Sequence, residues 1–300
     1  MTNKIPPTTN HRSTVWKLGG LTSWQLARNV WGEIGANDLL GRSSELAFDF
    51  LFALVPLLLF VLTLFGLFAS RSIELQGNLL SYFADFLPPA AFQILKSIVI
   101  ELTASAGGGK LTFSIIIALW IASGGVTSMI SALNLAYHIR ESRSWLTVRI
   151  IALALTLFIS VLLLAASFVV LAGDHVVGWL GLELQLQPIV IVIWQMLQWP
   201  AAALFVVMSY SLIYCFGPDL KQRRWHWITP GSAFGVFLWL LASIGFRVYL
   251  HFFNTYSASY GSLGAIMILL VWLYVTGFAF LIGGEINAEI ERAGQAKNSA

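Results

Sequence analysis

Charge is what this chain has least of. Only 10% of its 300 residues are Asp, Glu, Lys or Arg, against about 25% in an average soluble domain. Apolar residues make up 58%, and the mean hydropathy is +0.79. That deficit excludes an ordinary water-soluble core, whose helices do not sustain runs of ~20 apolar residues several times over. Cysteine is nearly absent as well. Cys215 is the one thiol, which excludes an intramolecular disulfide and any Zn or Fe–S centre built on several thiolates. It lies in an apolar run and reads as a small core hydrophobe. Catalytic signatures are missing too. His11, His138, His175, His226 and His251 are scattered, with no H-x-H, H-E-x-x-H, G-x-S-x-G or P-loop among them. No enzymatic activity, cofactor or metal is expected.

What is present is a set of six apolar segments. They run over about 45–69, 111–133, 149–172, 189–216, 228–250 and 263–284, each long enough to cross a bilayer. The chain therefore reads as an all-α polytopic membrane protein, with residues 22–290 as one membrane domain. Residues 1–21 and 291–300 read as polar tails, and residues 1–43 hold no apolar core of signal-peptide length. The first span is expected to act as an uncleaved targeting signal. Within 22–43, Leu26, Val30 and Ile34 recur at helical spacing, with Trp24 and Trp31 beside them. This predicts an amphipathic helix at the membrane surface. Residues 70–110 carry two more helical stripes separated by Pro88-Pro89. They predict an amphipathic pair on the opposite side, either on the membrane or packed as a lid.

The basic residues fall in alternate gaps. Thirteen of the 17 Lys and Arg lie in the N-terminal part, after spans 2 and 4, and at the C-terminus; Arg71, Lys96 and Lys110 lie on the other side. The positive-inside rule then places both termini on the cytoplasmic side of the membrane. The sequence pI near 9.1 is explained by this asymmetry, so no nucleic-acid partner is expected. Membrane lipids are the expected partners, with self-association left open.

A few residues break the membrane rule. A charge inside a span costs about 2.5–3.5 kcal/mol on insertion scales. Glu45 and Asp49 open span 1 on one helix face, and Glu285 closes span 6 with Glu289 one turn on. Arg42, Arg140, Arg143 and Arg149 lie at the same level, so part of the basic charge is expected to be paired. Interfacial ion pairs are one reading of this set. A polar path is the other, sharpest for Asp49, which sits roughly 6–8 Å inside its span at 1.5 Å per residue. Arg247 is the one basic residue well inside a span, poised either to snorkel outward or to meet an anionic head group. Gly124-Gly125 with Ser128, and Gly231 with Gly235, form small-residue stripes. These suit close helix packing, or, for Gly124-Gly125, a loosened midplane helix. The polar stretch 254–264, with Asn254 and Tyr260, reads as a tight turn capped by Ser262 or as a polar mouth.

Several stretches together resemble the YihY/BrkB family of bacterial inner-membrane proteins. They are Leu46-Ala47-Phe48 through Pro56-Leu57-Leu58, Trp120-x-Ala122-Ser123-Gly124-Gly125, Ala132-Leu133-Asn134-x-Ala136-Tyr137, and Pro230-Gly231 with Trp239. The most specific is Tyr256-x-x-x-Tyr260-Gly261-Ser262-Leu263-Gly264-Ala265, followed by Leu270-x-Trp272-Leu273-Tyr274 and Gly284-Glu285-Ile286-Asn287-Ala288-Glu289. The resemblance covers about 24–290. It implies six transmembrane helices and a role in export or lipid handling in the envelope. Asp49 departs from the family pattern, so no role for it comes from the resemblance. The family has carried a ribonuclease label, but this chain lacks the metal-binding histidine–aspartate motif such an enzyme needs.

These readings converge on transport or transbilayer movement of an amphipathic, anionic, lipid-like molecule, gradient-driven or passive because no ATP site exists. A non-transporting scaffold or envelope-assembly protein is the alternative. The expected path residues are Glu45, Asp49, Asn134, Arg247, Asn254, Tyr260 and Glu285.

Overall fold

A chain whose surroundings are apolar must satisfy its own backbone polar groups, and helices do so within one segment. The computed structural model describes residues 16–69, 96, 108–183, 188–220, 227–252 and 256–299, and all of their regular structure is helical. A 3₁₀ turn, Leu18–Gly20, precedes α1 (Ser23–Ala36) and α2 (Leu39–Ala69). Then follow α3 (Gly108–Ala136), α4 (Trp145–Glu183), α5 (Pro188–Phe216), α6 (Pro230–Phe252) and α7 (Tyr256–Ser299). The amphipathic pair expected over 70–110 lies outside the described residues, apart from Lys96 and the first turn of α3.

Among the described residues, α3 to α7 each carry a stretch long and apolar enough to cross a membrane. The first expected span falls on α2, which is 31 residues long; its side chains beyond Pro56 lie outside the described residues. Helices α4 and α7, at 39 and 44 residues, exceed the ~20 that a bilayer needs.

Helix continues through three stretches that the sequence reads in other ways or leaves open. The stretch 254–264 is no turn from Tyr256 onward, because α7 begins there. Its Ser and Gly residues still need their backbone groups paired, and the helix supplies that. Helix α3 runs unbroken through Gly124 and Gly125. At the C-terminal end, α7 continues to Ser299, so the stretch expected as a tail is helical over 291–299.

Each of α2 to α6 packs against the next helix in the chain, and α7 returns to α2, closing a ring; α3 and α7 also meet directly. The core at that meeting comprises Leu46, Leu133, Ile213, Tyr214, Phe280 and Leu281, all buried. Tyr214 packs on Phe280 with ring centroids 5.0 Å apart, and its hydroxyl donates to the Phe280 carbonyl at 2.6 Å. Lipid tails are as apolar as leucine, so close packing and such hydrogen bonds hold these helices together.

Helix α1 is set by a capping box. Thr22 Oγ1 accepts from the Gln25 amide at 3.2 Å, and Gln25 Oε1 accepts from the Thr22 amide at 2.9 Å. Its Leu26 and Val30 are buried against Ile286 and Ile290 of α7. The apolar stripe read as membrane-facing is thus spent on protein, while Trp24 and Trp31 are each 78% exposed.

Candidate functional site at the charged end of the ring

One end of the ring gathers α1, the start of α2, the α3–α4 and α5–α6 connections, and the C-terminal half of α7. Two polar clusters sit there.

The first is a knot around Asn134, which is buried at the end of α3. Its amide donates to Glu141 Oε2 at 2.8 Å, and its Oδ1 accepts from the Asp219 backbone amide at 2.9 Å. Arg143 forks onto both oxygens of Glu141, at 2.7 and 2.6 Å, and donates to the Gly217 carbonyl at 2.8 Å. It also lies 3.6 Å from Asp219, whose carboxylate accepts from the Ser142 amide at 3.0 Å and from the Ser142 hydroxyl. The knot therefore ties the two connections together. The Arg143 hydrogen bond holds the Glu141 carboxyl below its usual range, against a smaller opposing effect of burial.

The second cluster clasps α1 to α7. Asn29, Glu33 and Asn37 follow one another at helical spacing. Asn29 donates to Glu289 at 2.9 Å, and Asn37 donates to Glu285 at 2.7 Å and to Glu33 at 3.0 Å. Arg292 stands among three carboxylates: 2.5 Å from Glu289, 3.4 Å from Glu33 and 3.6 Å from Glu285. Its Nη1 is also 2.8 Å from Nδ1 of His138, whose Nε2 is 3.4 Å from Glu33. Glu285 is fully buried, and its Oε2 lacks a hydrogen-bond partner. Beside it is a cavity of about 10 Å³, bordered by Asn37, Arg42, Ala132 and Leu281, about the room of one water.

The residues expected to line a path are dispersed. Glu45 is exposed and pairs with Arg42 at 2.8 Å. Asp49, one turn on, is half-buried, and Arg247 is exposed on α6. Neither of them, nor Asn134, borders the cavity. Asn254 and the side chain of Tyr260 lie outside the described residues. Of the small-residue positions, Gly231 faces Gly283, Gly235 approaches the Ala279 carbonyl, and Gly125 approaches Ala53; a methyl group on Gly124 would meet nothing within 4 Å. Ser128 donates to the Gly124 carbonyl at 3.4 Å within its own helix.

Sequence reasoning passed over Glu33, Asn37, His138, Glu141, Asp219 and the pairing role of Arg292. A signal existed for the clasp. Asn29-x-x-x-Glu33-x-x-x-Asn37 puts three polar groups on one face, and Glu285-x-x-x-Glu289-x-x-Arg292 does the same on α7.

Comparison with known proteins agrees with this architecture. The chain is 31% identical over 251 residues to the ribonuclease-like protein YfkH of Bacillus subtilis, covering 84% of this chain and 90% of the relative. It is 31% identical to a UPF0761 membrane protein of Photobacterium profundum, covering 83% and 75%, and 28% identical to one of Coxiella burnetii, covering 82% and 86%. Among the described residues, no three His, Cys, Asp or Glu side chains are grouped to hold a metal ion. No solved structure matches the chain. The model of the family described as Virulence factor BrkB matches residues 30–300, and the chain belongs to that family of membrane proteins.

Proposed function

We propose that this protein crosses a bacterial cytoplasmic membrane six times, with both termini inside, and moves an amphipathic, anionic, lipid-like molecule across it. The sixth span is the apolar part of α2. The orientation rests on the thirteen basic residues of the alternate gaps, which puts the Asn134 knot and the α1–α7 clasp on the cytoplasmic side. The observation that carries the transport reading is Glu285. A fully buried carboxyl group, with one oxygen that makes no hydrogen bond and only a 3.6 Å ion pair with Arg292, closing one end of a helix ring in lipid, is costly and marks a functional position by default. The clasp then acts as a closed inner gate, and without a nucleotide site the movement is gradient-driven or passive.

Flux measurement tests this. Proteoliposomes carrying the protein are expected to move a fluorescent anionic phospholipid between leaflets faster than empty vesicles. Glu285→Gln should change that rate. Reporters fused at Gly181 and Ser257 are expected to read extracytoplasmic; a cytoplasmic reading would overturn the topology. The second reading, a scaffold that moves nothing, is favoured by the small cavity at the charged end and the dispersal of Asp49, Asn134 and Arg247. Equal rates with and without protein would establish it instead.

A further inference from the structure

Arginine pairing at the charged end is uneven. Arg42 holds Glu45, Arg143 holds Glu141 and Asp219, and Arg292 holds three carboxylates. Arg149, one turn into α4, is different: its partners among the described residues are all neutral. Its guanidinium stacks over the Trp120 ring, 4.4 Å from the centroid. It donates to the Trp120 carbonyl and, at 3.5 Å, to Thr127 Oγ1. Its Nε is buried without a partner. Thr127 and Trp120 lie roughly 14 and 24 Å along α3 from its end at Ala136, at 1.5 Å per residue, so the cation reaches below the helix end into an apolar zone. Two bonds to neutral oxygens leave most of its five donors unspent, and a charge there without a counter-charge is costly.

The surroundings indicate what supplies the counter-charge. Trp145 stands edge-on to Trp120 with centroids 6.1 Å apart. Trp145, Leu146 and Ile150 are 69%, 57% and 56% exposed, and Trp120 is 40% exposed. A planar donor fork suits phosphate, and the apolar flank suits an acyl chain. We propose that the α3–α4 seam is a binding site for an anionic phospholipid, with its phosphate on Arg149, its head group beside Trp145 and one acyl chain running deeper along the exposed Ile150, Leu157 and Val161 of α4. This rests on the membrane placement proposed above and not on transport itself.

The test is native mass spectrometry of the full chain, purified in detergent and exposed to dioleoyl-phosphatidylglycerol or dioleoyl-phosphatidylcholine. The wild-type chain is expected to retain the anionic lipid preferentially. Arg149→Gln should lower that retention roughly tenfold or more, as expected for loss of a charge-assisted bond. Arg140→Gln, an exposed charge nearby, should leave it intact. If Arg149→Gln does not yield folded protein, Arg149→Lys carries the test. It keeps the charge without the fork, so retention should fall part of the way. Unchanged retention in the Arg149 variants, or displacement of the lipid by inorganic phosphate alone, would overturn the proposal. A protein that moves no lipid in vesicles yet retains phosphatidylglycerol through Arg149 would sink the transport reading and leave this site standing.

Discussion

Gly231 on α6 and Gly283 on α7 meet backbone to backbone: a methyl group built on Gly283 would lie 2.6 Å from the Gly231 carbonyl oxygen, and one built on Gly231 would strike the Gly283 carbonyl. The Gly231 amide also donates to Asn287 Oδ1 at 3.0 Å, and the Asn287 amide donates to Thr229 at 3.0 Å. A methyl group on Gly231 would also meet the Asn287 side chain and one on Gly283 the Tyr214 hydroxyl, and both of these groups are held by hydrogen bonds, Asn287 to Gly231 and Tyr214 to Phe280, so the space cannot open cheaply. Gly231→Ala and Gly283→Ala are each expected to cost about 1–3 kcal/mol, the usual range for overpacking. Thermal melting in detergent measures it; an unchanged midpoint for both variants would contradict this close crossing.

Gly124 makes the opposite case on α3. A methyl group there meets nothing within 4 Å, and the helix runs on through it. Gly124→Ala is therefore expected to be neutral or to stabilise by up to about 1 kcal/mol, through lost backbone freedom in the unfolded chain. Gly125→Ala should be less favourable, because Ala53 and Phe50 stand 3.3 and 3.4 Å from the added carbon. Melting of the two variants side by side gives the ranking, and a lower midpoint for Gly124→Ala would count against it.

These two glycines show how far the sequence could be read. Helical segments, their order and the small-residue stripes follow from apolar runs and from i, i+4 spacing, which are local properties. Which stripe faces a neighbour depends on the tertiary crossing: Gly231 and Gly124 look alike in the sequence, yet one abuts backbone and the other open space. The site divides the same way. Glu285 stands out as an acid ending an apolar run. Its partners Asn37 and Arg292 do not, because Asn37 sits at the end of α1, 248 positions away, and Arg292 reads as one of the basic residues that set orientation. Each half of the clasp leaves a periodic trace in its own helix, but nothing periodic tells that the two halves meet.

The Asn134 knot carries a pH dependence. Glu141 has its carboxyl held below the usual value of 4.5, first by the Arg143 hydrogen bond. A depressed folded-state value means that its contribution is fully present above about pH 4.5 and is lost as pH falls through the lower folded value. The wild-type chain should thus resist acid further than Arg143→Gln, whose Glu141 lacks that bond. Hydrogen exchange over 137–144, followed from neutral pH downward, is the measurement. The variant is expected to lose protection at higher pH than the wild type, and identical acid limbs would remove Arg143 as the cause.

The clasp has a clear electrostatic consequence. Removing Arg292 leaves Glu33, Glu285 and Glu289 facing one another, with Glu285 fully buried. Hydrogen-bonded partners of a charged group are worth about 1.5–3 kcal/mol, and an uncompensated buried carboxylate adds its own desolvation cost. Since α1 is otherwise held mainly by Leu26 and Val30 against Ile286 and Ile290, Arg292→Ala should free α1 before it unfolds the ring. Faster hydrogen exchange across Ser23–Ala36, with exchange in α5 and α6 unchanged, is the expected pattern. The double variant Arg292→Ala with Glu285→Gln should recover part of the protection, because the buried negative charge is gone while the amide still accepts from Asn37. If the double variant exchanges as fast as Arg292→Ala alone, burial of the Glu285 charge is not what strains the clasp, and the loss belongs to Glu33 and Glu289.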